Sequence, residues 1–297
     1  MVKIGIIGVG TVGGAIAAAI VNGGSPAREL VLLDIDAKRV RAAAEDLSHA
    51  AAFRDAPIKI FAGGYKDFAD ADIIVLSAGA NQKPGQTRAE LAPQNARVIA
   101  DVVKKIPLSK NIILIVVSNP LDSMVALAQR LSKLPPERVI GTGTMLDTAR
   151  LRAILSAKFD VSPRAVEAYV LGEHGDSGFV NWTNATLGGL PLPRLSGGEK
   201  KKIERDVLGA AYRIIDGRSA TWDGIAAATA DLIKCIANDE RRILPVSIAC
   251  KGVAYSMPRI VGAKGAIAAP FPAMSAAEKA RLSASIRAIE KNLKTIS

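Results

Sequence analysis

Of the two histidines in this 297-residue chain, one lies in Gly172-Glu173-His174-Gly175-Asp176-Ser177, after an apolar stretch and between glycines. Imidazole exchanges a proton near neutral pH without a large shift, so such a ring at a strand end suits general acid–base work. Taken alone, a histidine in a turn is more simply a structural one. Asp147 and Arg150 stand three apart in a stretch that reads as helix, so they share a face. Locally they make a solvent-facing ion pair worth well under about 1 kcal/mol. Asn119 sits between a strand and Pro120, which puts an amide with both donor and acceptor at a strand end. Arg88 closes a glycine-flanked segment, 79–88, with Pro84-Gly85 inside it, which reads as a mobile loop or lid.

These residues need a frame, and the first third of the chain supplies its pattern. Lys3 to Ile7 is a short apolar, branched run, a buried strand. It leads into Gly8-Val9-Gly10-Thr11-Val12-Gly13 and then an Ala-rich helix. The glycines of such a turn allow close approach of a pyrophosphate, and the helix N-terminus offers it free N–H groups. A second strand, Glu29 to Asp34, ends in an acid 21 residues after Gly13. A carboxylate at that place suits adenosine ribose hydroxyls and repels a 2′-phosphate, favouring NAD over NADP.

Strands and helices go on alternating: helix 38–53, strands 58–61, 72–78 and 111–118, helices 90–105 and 121–131, strand 139–142, helix 145–159. This is the pattern of a doubly wound parallel sheet. From Ser162 it changes to shorter strands (165–171, 179–186), two helices opening with capping boxes at Ser196 and Ser275, and antiparallel strands over 241–252 and 252–260. The expected fold is therefore α/β, with a dinucleotide-binding domain over 1–143 and a mixed α+β substrate domain over 144–297.

Composition narrows the function classes. The net charge is +11 with only 4% aromatic residues, and the basic residues are dispersed; base-stacking nucleic-acid binding is not expected. The Lys200-Lys201-Lys202 run, followed by Glu204 and Asp206, reads as a solvated helix face. A basic chain also attracts small anions such as dinucleotides and carboxylates. The uncharged stretch from Ile4 to Ala27 contains seven glycines, which argues against a membrane span. Cys235 and Cys250 lack metal-ligand or disulfide spacing, so no metal is expected and a reducing cytoplasm fits.

Several motifs together resemble the L-lactate/L-malate dehydrogenase family over essentially the whole chain. They are Gly8-x-Gly10-x-x-Gly13, Asp34, the run from Ala78 to Arg88, Ser118-Asn119-Pro120, Leu146-Asp147-Thr148-Ala149-Arg150, Gly172 to Ser177 and Ser219-Ala220-Thr221. The resemblance implies a Rossmann domain binding NAD through Gly8, Gly10, Val12, Gly13, Asp34, Gly79, Ala80, Ser118, Asn119 and Ile225. It implies that His174 exchanges a proton with the substrate oxygen, that Asp147 orients the ring and favours the imidazolium, and that Arg88 polarises the carbonyl as the loop closes. Arg150 would take the substrate carboxylate as a bidentate fork, with Asn119, Gln82 and Thr221 also at the substrate.

Within the family the loop position held here by Gln82 separates malate enzymes, which carry arginine, from lactate enzymes, which carry glutamine. Oxaloacetate would bring a second carboxylate into a closed pocket without a cation, at several kcal/mol. Lys83 is adjacent but should point the other way in an extended loop. Pyruvate and lactate are thus favoured, with malate or a longer 2-hydroxy acid as alternatives. Gln86 departs from the glutamate usual in lactate-type loops. Arg152 matches one half of a family site for fructose 1,6-bisphosphate, but Glu167 stands where the histidine would be, so activation by that sugar is not expected. The resemblance also implies a homotetramer, or a dimer at least. A short-chain dehydrogenase would need Tyr-x-x-x-Lys, and none of Tyr65, Tyr169, Tyr212 or Tyr255 is followed so. A non-catalytic NAD-binding regulator would have no need of the ionisable set.

Overall fold

The computed structural model describes residues 2–80, 88–218, 220–270 and 272–296. The first half alternates as the apolar runs require: β1 (Val2–Ile7), α1 (Thr11–Asn22), β2 (Ala27–Leu33), α2 (Ala37–Ala51), β3 (Lys59–Ala62), β4 (Ile73–Leu76), α3 (Arg88–Lys105), β5 (Ile113–Val116), α4 (Leu121–Ser132) and β6 (Val139–Gly141). These six strands run parallel in the order β3-β2-β1-β4-β5-β6. Strand order reverses between β1 and β4, which places a ligand crevice beyond their carboxyl ends.

Every residue of β4 and β5 is buried, because helices cover both faces of the sheet. Alternate side chains point to opposite faces. Ile4, Ile6, Leu30, Leu32, Ile73, Val75, Ile113 and Ile115 pack with α1 and α2. Ile7, Val31, Ile74, Leu76, Leu114 and Val116 pack with α3 and α4.

The second half comprises α5 (Met145–Phe159), the two-residue strands β7 (Val166–Glu167), β8 (Val170–Leu171), β9 (Phe179–Val180), β10 (Thr186–Leu187) and β11 (Leu190–Pro191), then α6 (Gly197–Leu208), α7 (Ala210–Arg218), α8 (Asp223–Ala237), β12 (Arg242–Cys250), β13 (Val253–Gly262), β14 (Gly265–Ala268) and α9 (Ala276–Lys294). The strands expected over 165–171 and 179–186 are thus broken into pairs. Both capping boxes form, at the starts of α6 and α9. Beyond α5, where two more helices were expected, four lie among the described residues. The start of α8 has no cap signal, since Trp222 precedes it and makes no side-chain cap bond.

The antiparallel strands β12, β13 and β14 do not form a sheet apart. Ser247 of β12 pairs with Gly141 of β6, and the result is one nine-stranded sheet. Helix α8 likewise covers the first half: Leu232, Ile233 and Ile236 share a core with α1. A second core, with Leu151, Leu155, Val170, Ile203 and Val207, holds α5, α6 and the short strands together.

Candidate active site

The glycine-rich turn has the geometry its spacing promised. Gly8 has φ +93°, and a Cβ there would lie 2.4 Å from the Ala78 nitrogen. A Cβ on Gly13 would lie 1.8 Å from the Gly8 carbonyl oxygen, so only glycine lets α1 start this close to β1. A Cβ on Gly10 would meet nothing within 4 Å. Gly10 caps α1 with no side-chain bond, and no acidic residue occupies the first turn. The helix end therefore faces open space with unsatisfied N–H groups, which suits a pyrophosphate. Val12, the second residue of α1, packs on the sheet core.

Asp34 lies at the end of β2, where its Oδ2 accepts the Val9 N–H at 2.6 Å and its Oδ1 the Asp36 N–H at 2.9 Å. It is a strand-end cap as well as the acid of the crevice; a carboxylate has lone pairs for two more donors. The crevice residues thus fit a bound dinucleotide. On the far side of the turn, the Ser118 hydroxyl donates to the Ala78 carbonyl at 2.6 Å. Ala80 donates its N–H to Asn95 Oδ1, and Asn95 Nδ2 donates to the Asn119 carbonyl, both at 2.7 Å. Gly79 lies against the same side chain.

The reactive cluster forms across elements. Asp147 accepts from Arg150 Nη1 at 2.8 Å through Oδ1, and its Oδ2 lies 2.7 Å from His174 Nδ1. The local expectation for the Asp147–Arg150 pair is corrected here: their side chains are only 7% and 13% exposed. Burial works to raise the Asp147 carboxyl, but His174 and Arg150 outweigh it and hold it below its ordinary value. Two threonines bring these residues together. Thr144 donates its hydroxyl to the Val170 carbonyl at 2.5 Å, and Thr148 accepts the Val170 N–H at 3.0 Å. They pin α5 to β8, four residues before His174. Gly172, with φ +88°, then turns the chain. Beside α5, Thr221 lies just before α8 and Ile225 in its first turn, and Leu146 packs at Gly224. Gln82, Lys83, Gln86 and Ser219 lie outside the described residues, as does Arg88 beyond its backbone place at the head of α3.

Further residues that the sequence reading passed over complete the site. Asp122, in the first turn of α4, accepts the His174 backbone N–H at 2.7 Å and the Ser247 hydroxyl at 2.6 Å. Ser285 on α9 accepts the Glu173 N–H at 2.6 Å, and the Glu173 carboxylate accepts from Ser177. Asn95 had a signal: it is the polar residue on the stripe Leu91, Asn95, Ile99, and is 2% exposed. Asp122 and Ser285 had none, because their partners are more than fifty residues away in sequence.

A chain of contacts runs from Ala80 through Asn95 to Asn119, and from Asp122, one helical turn on, to His174. An anion-ready dinucleotide crevice is thereby joined to an imidazole whose second nitrogen is held by a buried acid. That defines a class, the nicotinamide-dependent dehydrogenases. Residues 2–141 match the model of the lactate/malate dehydrogenase NAD binding domain, and residues 144–297 that of the family's alpha/beta C-terminal domain. The chain belongs to the lactate/malate dehydrogenase family. It is 43% identical to an L-lactate dehydrogenase of Thermus aquaticus, with 94% of each chain covered. The ligand-bound crystal structure of a minor L-lactate dehydrogenase from Enterococcus mundtii superposes with a TM-score of 0.94 at 36% identity, covering 99% of this chain and 98% of the other. The malate dehydrogenase of Aeropyrum pernix gives 0.93 at 31% identity with the same coverage.

Proposed function

We propose that this chain is an NAD-dependent L-lactate dehydrogenase that interconverts pyruvate and L-lactate. The observation that carries it is Asp147 holding both His174 and Arg150: one buried carboxylate sets a proton donor beside a carboxylate fork. When bound, the nicotinamide supplies the hydride in one direction and accepts it in the other. Asp147 keeps a proton on Nδ1, so Nε2 is the nitrogen that gives its proton to the substrate oxygen and takes it back in reverse. Arg150 presents its remaining guanidinium donors to the carboxylate of the 2-oxo acid. Asn119 contacts the substrate oxygen and the nicotinamide side, Thr221 and Ile225 line the pocket, and Arg88 polarises the carbonyl. Gly8, Gly10, Val12, Gly13, Asp34, Gly79, Ala80 and Ser118 hold the cofactor.

Gln82 and the likeness to L-lactate dehydrogenases support pyruvate over oxaloacetate. The two family matches meet between residues 141 and 144, which supports a dinucleotide-binding part over 1–143 and a substrate part over 144–297. The family resemblance supports a homotetramer or a homodimer, which light scattering tests. Unpaired Cys235 and Cys250 support a reducing cytoplasm; no helix among the described residues is long and apolar enough to cross a membrane.

The deciding experiment follows NADH oxidation with pyruvate, oxaloacetate and 2-oxoisocaproate side by side, with His174→Asn as control. Pyruvate is expected to lead by about a hundredfold or more in kcat/KM, a margin that one unpaired charge supplies. A lead for oxaloacetate means that Lys83 or another cation reaches the pocket. A lead for 2-oxoisocaproate means a larger pocket.

A further inference from the structure

Asp122 has no place in the proton transfer described above, yet it is the acid that grips the reactive histidine by its backbone. It is 3% exposed, and both its oxygens are occupied, Oδ2 by the His174 N–H and Oδ1 by the Ser247 hydroxyl. Ser247 is itself fully buried and pairs with Gly141 where the parallel and antiparallel parts of the sheet join. The Asn119–Pro120 corner comes two residues before Asp122 in the chain. One side chain thus ties the crevice edge, the sheet junction and the 172–177 loop to a common point.

We propose that Asp122 is a positioning residue for His174: it sets the height and direction of the imidazole through the backbone and places a second negative charge beside it. This rests on the dehydrogenase reading of the site. The charged groups that act on Asp122 are His174, which favours its ionised form, and Glu173, which opposes it. Glu173 is engaged by Ser177 and Asn292. The ring itself is held at Nδ1 by Asp147, which in turn is paired with Arg150. Burial pushes the Asp122 carboxyl up to about 6, so above that pH two carboxylates act on the imidazolium: Asp147 at Nδ1 and Asp122 from the backbone.

The two histidines of the chain make the test clean, since the second, His49, is exposed on α2 and serves as an internal reference. Asp122→Asn keeps an oxygen for the His174 N–H, and the Ser247 hydroxyl can reverse to accept from the amide, so the shape is kept and the charge removed. In proton NMR titrations of the apo protein, the His174 ring signal of Asp122→Asn is expected to titrate about 0.5–1 pH unit lower than in the wild type, with His49 unmoved. The alkaline limb of kcat/KM for 2-oxo acid reduction should move by the same amount, with the KM changed less than about twofold. Ser247→Ala, which keeps the carboxyl but frees one of its anchors, should lower kcat by up to about tenfold and move the limb less than Asp122→Asn does. An unmoved His174 titration in Asp122→Asn overturns the proposal, as does a uniform loss of rate with no movement of the limb. The NMR readout needs no turnover, so a wild type inactive on every 2-oxo acid would refute the dehydrogenase reading separately.

Discussion

Replacing Asp147 by asparagine removes one charge from the point where two donors meet. Arg150 Nη1 lies 2.8 Å from one oxygen and His174 Nδ1 2.7 Å from the other. An asparagine has one oxygen and one NH2. If the oxygen faces His174, two donors confront each other at Arg150. If it faces Arg150, the NH2 meets Nδ1 and forces the proton off that nitrogen, leaving a ring that cannot give up its Nε2 proton without becoming an imidazolate. The charge itself is worth about 4 kcal/mol to an imidazolium about 4 Å away, centre to centre, at an effective dielectric of about 20. At about 1.4 kcal/mol per decade this is close to three decades. Asp147→Asn should therefore lower kcat/KM for pyruvate reduction by about 10²–10³-fold at pH 7.5, with partial recovery toward pH 5.5, where the imidazolium reforms. Steady-state NADH absorbance across that range, on protein whose circular dichroism matches the wild type, measures it. A variant within tenfold of the wild type, with a superimposable pH profile, would refute the role given to Asp147.

Arg150→Lys, a point charge in place of a fork, should cost about 10²-fold in kcat/KM for pyruvate, mostly in KM, with NADH affinity unchanged by fluorescence titration. Gly10→Ala should melt like the wild type, since a Cβ there meets nothing within 4 Å, yet bind NADH at least about tenfold more weakly; wild-type affinity would mean that the dinucleotide passes elsewhere. Burial raises Asp122 to about 6 from 3.8. Between those values the native state keeps a proton that the unfolded chain has lost, so this group's contribution falls as pH rises from about 4 to 6. Asp122→Asn should gain on the order of 3 kcal/mol over the wild type between pH 4 and pH 7, and a difference in unfolding free energy that stays constant with pH would contradict this. Fructose 1,6-bisphosphate should leave the pyruvate saturation curve unchanged, because the carboxylate of Glu167, here accepting from Thr186, would repel it; a sigmoidal curve made hyperbolic by the sugar would show otherwise.

Much of this protein was legible locally. The turn from Gly8 to Gly13 carries its signal in its own glycine spacing, and φ +93° at Gly8 bears it out. The buried parallel strands announced themselves as short branched runs because both faces of the sheet are covered. The capping boxes at Ser196 and Ser275 close within four residues. In the turn and the caps the interacting groups are near neighbours in the chain, and in the strands the signal lies in the composition of each run.

Tertiary structure decided what depends on distant groups. The Asp147–Arg150 pair reads as a surface contact because nothing within fifteen residues reveals that α5 is covered. Thr144 and Thr148, gripping Val170 from 26 and 22 residues away, turn it into a buried relay with His174. The joining of β12 to β6 through Ser247 and Gly141, the return of α8 onto α1, and the hold of Asp122 on His174 follow the same rule. A buried polar group must find a partner, and the sequence names the group but not the partner. The chemistry was written in residue types; its geometry waited on which of them the folded core forced to meet.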